Sequence, residues 1–283
     1  MFRGRASVAA LRRTDASVIV VDTIAAALAA PHLGTLRRRG KRIAVLALME
    51  DGALRLARHA DLVFATSEAL ARDLAKHRVP ASRITVVRPG RHALPAEAVS
   101  ANGKLRILCV ANWSPSKGIH RVLEASASIP GAFVDLVGDE PDARYAARVR
   151  RIAARLAKRA RIRGVLRGAA LRRRYALASI FALPSTRESY GMAVADALAY
   201  GLPVVACEIP ATREVTGGAA VLVPVGDAGA FRDALRDLAG NERRRVELGR
   251  KARARARRLP TWIEMEDGIL DAVEGLLLGA RPI

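Results

Sequence analysis

Aromatic residues make up only 4% of this 283-residue chain. That scarcity leaves the cores to Ala, Leu and Val. It also removes the aromatic residues that interleave with basic ones where proteins grip nucleic acid, and no helix-turn-helix or zinc pattern is present, so no nucleic acid is expected as partner. Cysteine is nearly absent. Cys109 lies in an apolar strand-like run and Cys207 at the end of another, which fits two buried thiols in a reducing cytoplasm. No apolar run approaches the ~20 residues of a membrane span. The basic start "MFRGRASVAALRRTDAS" lacks the apolar stretch of a signal peptide, so the sequence reads as a cytoplasmic protein.

Lysine is also scarce: six, against 42 arginines. The formal net charge of +21 is therefore almost all guanidinium. One reading is an anionic partner, such as a phosphorylated substrate or a membrane surface. The other is a solvated basic surface in an arginine-rich proteome, and both stay open. The chain is 51% hydrophobic, enough to build real cores.

Short apolar runs alternate with helical ones along the whole chain. "VIVVD" (18–22), "RIAVLAL" (42–48), "DLVFATS" (61–67) and "RITVVRPG" (83–90) read as strands, with a helix capped by Ser67 after the third. The stretch 88–104 carries Pro and Gly and reads as a linker. A second series follows: "LRILCVAN", "AFVDLVGD", "IRGVL", "SIFALPS", "LPVVACEI" and "AAVLVPV". Strands that are apolar throughout are those covered by helices on both faces, so the fold class is α/β with two doubly wound parallel sheets. The expected domains are 1–100, 101–260 and a closing helical segment 261–283, whose Thr261 and Glu264 have capping-box spacing. Four strands before residue 91 are few for a nucleotide-binding sheet. The first domain is either reduced or begins downstream of its true start.

The stretch "STRESYGMAVADALAYGLPVVACEIP" (185–210) carries the chemistry. Ligands of open parallel sheets bind beyond the carboxyl ends of strands. Residues 189–192 are expected to form the first turn of a helix there, with N–H groups for a diphosphate. Gly191 lets a ligand approach the backbone. Glu188 would repel phosphate but accepts sugar hydroxyls well. Asp196, eight residues on, would project from the same helix face and accept ribose hydroxyls. Sugar, diphosphate and ribose in a row describe a nucleotide-sugar. Taken alone, a helix cap at Glu188 and a solvated charge at Asp196 account for the two acids at least as well. In "VANWSPSKGIHRVLEA" (110–125), Lys117-Gly118 stands at another helix start, where a lysine reaches phosphate or simply lies exposed.

In order, "VANWSPSKGIHRVLEA", "VDLVGDEP", "FALPSTRESYGMAVADALAYGLPVVACEIPATREV" and "VLVPVGDAGAFRDAL" resemble family 4 retaining glycosyltransferases of the GT-B fold over nearly all of residues 104–278. "LPTWIEME" resembles that family's closing segment, where the C-terminal helix crosses back to the N-terminal domain. The resemblance implies two Rossmann-like domains, the first shortened here, and transfer of a sugar from a nucleotide-diphosphate donor with retention. Lys117 would bind the diphosphate, with Gly118 beside it. Glu188 is the first acid of the family's E-x7-E motif and would contact the transferred sugar. The amides of Ser189, Tyr190, Gly191 and Met192 would hold the diphosphate. Asp196 stands where the second glutamate is usual, one methylene shorter, and Asn112 falls where many members place an arginine. The loop after "RIAVLAL", which often carries a histidine, reads Met49-Glu50-Asp51, and His59 reads as structural.

The resemblance implies no cofactor and no metal. The acceptor is open among glycan, lipid-linked and small-molecule classes. A second possibility is a nucleotide-sugar-binding, assembly or membrane-surface protein that has lost catalysis. Self-association through the first sheet is a further expectation. In "DARYAARVRRIAARLAKRARIRG" (142–164), Tyr145, Val149, Ile152 and Leu156 share one helix face beside a stripe of Arg144, Arg148, Arg151 and Arg155. That stripe is either a contact for an anionic membrane or an ordinary solvated face.

Overall fold

The computed structural model describes residues 15–48, 50–92 and 104–278. The chain divides into two compact units: Met1–Gly90 with Pro260–Ile283, and Arg91–Leu259.

The first unit holds β1 (Val18–Asp22), α1 (Ala26–Arg38), β2 (Arg42–Ala47), α2 (Glu50–Ala57), β3 (Leu62–Ala65), α3 (Glu68–Lys76) and β4 (Ile84–Val86). The strands are rich in Val and Ile, which suit a pleated buried surface. They pair in parallel in the order β1-β2-β3-β4. Ile19, Val21, Ile43, Val45 and Val63 join Leu33, Leu56 and Leu70 of α1–α3 in one core. Ser67 caps α3 by accepting from Leu70 N at 3.0 Å, as its sequence position predicts. Glu50 and Asp51 fall inside α2, while Met49 lies outside the described residues.

Ala44, Leu62 and Phe64, on the opposite face, pack against Met265, Ile269, Ala272, Val273 and Leu276 of the last helix, Trp262–Leu278. That helix starts with the capping box read from the sequence: Glu264 N donates to Thr261 Oγ1 at 3.2 Å and Thr261 N to Glu264 Oε2 at 2.6 Å. Gly90 permits its approach, because a Cβ there would lie 2.3 Å from Trp262 N. The closing segment thus belongs to the first unit. The linker stretch falls largely at 93–103, outside the described residues.

The second unit holds β5 (Arg106–Val110), α4 (Ile119–Ala127), β6 (Phe133–Val137), α5 (Ala143–Arg155), β7 (Ala160–Ile162), α6 (Gly168–Leu177), β8 (Ile180–Leu183), α7 (Met192–Ala199), β9 (Val204–Cys207), α8 (Pro210–Thr216), β10 (Val221–Val223), α9 (Ala228–Gly240) and α10 (Glu242–Ala256), after which the last helix is α11. All its strand pairs are parallel, in the order β10-β9-β8-β5-β6-β7. Sequence order therefore reverses between β5 and β8. β8 and β9 are buried at every residue, as strands covered on both faces must be.

One segment departs from the sequence reading. The helix expected over 142–164 ends at Arg155, and the strand expected at "IRGVL" lies earlier, at Ala160–Ile162. The Arg/Ala-rich composition favours a longer helix, but pairing of Ala160 with Val134 and of Ile162 with Leu136 outweighs it. Ala157, at φ 47°, breaks the helix before one 3-10 turn leads into β7.

Candidate functional site

In a doubly wound sheet the crevice opens where strand order reverses, at the carboxyl ends of the strands. Here that point lies between β5 and β8. The loop after β5 closes in a single 3-10 turn, Pro115–Lys117, and the chain enters α4 through Gly118 at φ 64°. A Cβ at Gly118 would stand 2.7 Å from Pro184 O, so glycine lets this loop lie against the one after β8. Thr186 N donates to Ser116 O at 2.7 Å, which ties the two loops together. Ser185 Oγ donates to Arg187 O at 2.9 Å and holds the second loop's bend.

These contacts bring Lys117 and Glu188 together. Lys117 Nζ lies 2.7 Å from Glu188 Oε1 and 3.4 Å from Arg187 O. Their side chains are 23% and 12% exposed. Such a shielded pair keeps far more of its attraction than one in open water. Below them, burial pushes the Cys109 thiol up to about 12, with the charges of Lys117 and Glu188 acting on it in opposite senses.

The turn expected over 189–192 starts later. α7 begins at Met192, and Ser189, Tyr190 and Gly191 precede it in the loop, with Gly191 at φ 101°. Val194 N and Ala195 N both donate to Gly191 O. The N–H groups before them have no partner within the helix by its geometry, and no side chain caps this end. Dipole and amides make it a place for negative charge. Because the helix starts at 192, Glu188 is not on it, and the two-turn spacing that would align Glu188 with Asp196 does not apply.

Asp196 is instead a buried residue of α7. Its carboxylate accepts from His92 Nδ1 at 2.8 Å and from the His92 backbone. Burial raises its pKa, and the bonds from His92 oppose the rise. Sequence reasoning missed His92 because it sits at the edge of the linker stretch, 104 residues from its partner. Asn112 is exposed, in a loop that Gly138 accommodates: at φ 151°, a Cβ on Gly138 would run into Ala111 O.

His120, beside Gly118, bonds through Nδ1 to Tyr145 Oη at 2.9 Å. Burial, then Arg148 and Arg121, lower its pKa to about 4, so it is neutral at physiological pH. His59 bonds with its neighbour Arg58 and is lowered by burial first, in keeping with a structural role. On α5, Tyr145 and Val149 face inward with Leu156 just beyond, Ile152 is half-buried, and Arg144, Arg148, Arg151 and Arg155 are exposed. Among the described residues no three His, Cys, Asp or Glu side chains are grouped to hold a metal ion, and no helix is long and apolar enough to cross a membrane.

Residues 104–241 match the model of the family "Glycosyl transferases group 1". Two curated relatives are the D-inositol 3-phosphate glycosyltransferases of Xylanimonas cellulosilytica, 38% identical over 102 residues, and of Saccharomonospora viridis, 36% identical over 102 residues. Each alignment covers 34% of this chain, and 24% and 23% of the relatives, so the matched part spans about a quarter of their length. Among solved structures, Anabaena HepE in complex with UDP and glucose superposes with a TM-score of 0.82 at 17% identity, over 96% of this chain and 80% of that one. Sucrose-phosphate synthase from Thermosynechococcus elongatus gives 0.81 at 20%, over 98% and 78%. The fold is α/β and GT-B-like. Over residues 104–241 the chain is thus similar in sequence to group 1 glycosyl transferases, and over nearly all its length it shares their fold with the solved structures.

Proposed function

We propose that the protein transfers a glycosyl group from a nucleotide-diphosphate sugar to an acceptor hydroxyl, with retention at the anomeric carbon. The observation that carries this reading is the Lys117–Glu188 pair, 2.7 Å apart where strand order reverses, beside the uncapped start of α7. A bound donor would divide the pair's labour. Its diphosphate takes Lys117 and the helix amides, and its sugar hydroxyls take Glu188.

In the reaction the bond from the anomeric carbon to the diphosphate oxygen breaks, and the leaving oxygen keeps the electron pair. The acceptor oxygen forms the new bond on the face the leaving group vacates and gives its proton to a phosphate oxygen. Charge develops on the diphosphate, and fixed donors aimed there lower the barrier. Glu188 holds the sugar for in-place attack. The reading calls for no metal or cofactor, because Lys117 and the amides supply the positive charge.

HepE, bound to UDP and glucose, and the D-inositol 3-phosphate glycosyltransferases support a nucleotide-sugar donor by likeness. The acceptor is a glycan, a lipid-linked sugar or a small molecule. Two free buried thiols fit work in a reducing cytoplasm. The exposed arginines of α5 offer contact with an anionic bilayer at roughly 1 kcal/mol per residue near the surface. A binding protein without catalysis is not favoured, since both members of the pair are in place. Incubation with UDP-, GDP- and ADP-sugars and an acceptor panel tests the reading. Turnover with the donor's anomeric configuration in the product supports it; an inverted product sinks retention, and no transfer from any donor sinks the activity.

A further inference from the structure

Asp196 is the least explained charge in the second unit. Its side chain is 10% exposed, and the groups acting on its ionisation include no lysine or arginine. Tyr175 of α6 is raised first by burial and then by the Asp196 charge, and Tyr200, just past the end of α7, is raised mainly by burial and also by that charge. The hydrogen bonds that oppose Asp196's desolvation both come from His92: the 2.8 Å bond from Nδ1 and one from its backbone. A buried carboxylate needs such donors, because an unsatisfied one is costly. Since a carboxylate only accepts, Nδ1 carries the hydrogen in this bond.

Two donors do not exhaust a carboxylate, which has about four lone-pair sites. The vicinal hydroxyls of a ribose would need the remaining ones held in one orientation. We propose that His92 is a positioning residue for the nucleotide subsite, fixing the Asp196 carboxylate so that it accepts the ribose hydroxyls of a nucleoside diphosphate. This rests on the donor reading above and extends it to a residue outside the α7 stretch. A glutamate would reach one methylene further; here the shorter Asp196 is anchored by an imidazole from 104 residues away.

The test is calorimetric titration of UDP, GDP or ADP, whichever shifts the melting temperature, against its 2′,3′-dideoxy counterpart. The wild type is expected to prefer the ribonucleotide by about tenfold or more, the range of a hydrogen bond to a charged group. His92→Ala should erase the preference by weakening the ribonucleotide alone. His92→Asn, whose amide N–H stands near the place of Nδ1, should restore it. Equal weakening of both ligands by His92→Ala means a merely structural residue and overturns the inference. So does an unchanged preference, or a wild type without one. A wild type that binds neither ligand overturns the donor reading and this inference with it.

Discussion

Lys117 Nζ and Glu188 Oε1 stand 2.7 Å apart although 71 residues separate them, because Gly118 lets the loop after β5 rest on Pro184. Each is then within reach of one ligand placed between the loops, and removing either should hurt differently. Lys117→Ala should abolish the melting shift produced by a nucleoside diphosphate. At 100 times its dissociation constant such a ligand adds about 2.7 kcal/mol. In a protein of this size that raises the melting temperature by roughly 2–4 °C per kcal/mol. The measurement is a thermal shift with UDP, GDP and ADP on both proteins. A shift that survives in Lys117→Ala would place the nucleotide elsewhere.

Glu188→Gln should keep nucleotide binding and lose turnover. The amide has the shape of the carboxylate but is a poorer acceptor for sugar hydroxyls. A sugar displaced by about 1 Å costs on the order of 100-fold in rate. Steady-state kinetics on the nucleotide-sugar should show kcat falling by about that factor while the free nucleotide binds as before. Unchanged kcat would remove Glu188 from the sugar's surroundings.

Gly118→Ala should open the crevice. The added methyl meets Pro184 O, and φ 64° strains any L-residue. Forced left-handed backbone costs about 1–3 kcal/mol. Urea denaturation should show that loss, and the Lys117-dependent nucleotide shift should shrink with it. A variant of wild-type stability would mean that the loops part without cost.

Much of this arrangement can be read in the sequence, for physical reasons. Apolar strands with a period of helices between them announce both sheets, and "SEALARDLAKH" and "TWIE" announce their own caps, because these signals are local. Lys117 and Glu188 are legible singly, each in the loop that follows an apolar run. Their contact is not, since it depends on β5 and β8 being neighbours. The start of α7 at Met192 escapes because a glycine permits a positive φ without requiring one, and only the fold sets Gly191 at 101°. The turn from α5 into β7 escapes because Ala157 breaks a stretch whose composition favours helix. His92 escapes most fully, since Asp196 becomes its partner only through the tertiary fold.

His120 gives a pH dependence whose sign can be worked out. Its folded pKa, about 4, lies below the ordinary 6.5, with burial the main cause. Between those values the unfolded chain binds the proton and the folded one does not, so stability rises with pH there. The contribution is present above about pH 6.5 and is lost as pH falls toward 4. The slope is at most about 1.4 kcal/mol per pH unit, and less because the ring is partly solvated. His120→Asn, which keeps a hydrogen-bonding group toward Tyr145 but does not titrate, should flatten this part of the acid profile. Urea midpoints at pH 4.5, 5.5, 6.5 and 7.5 for both proteins decide the matter. Parallel curves would assign the acid sensitivity to other groups.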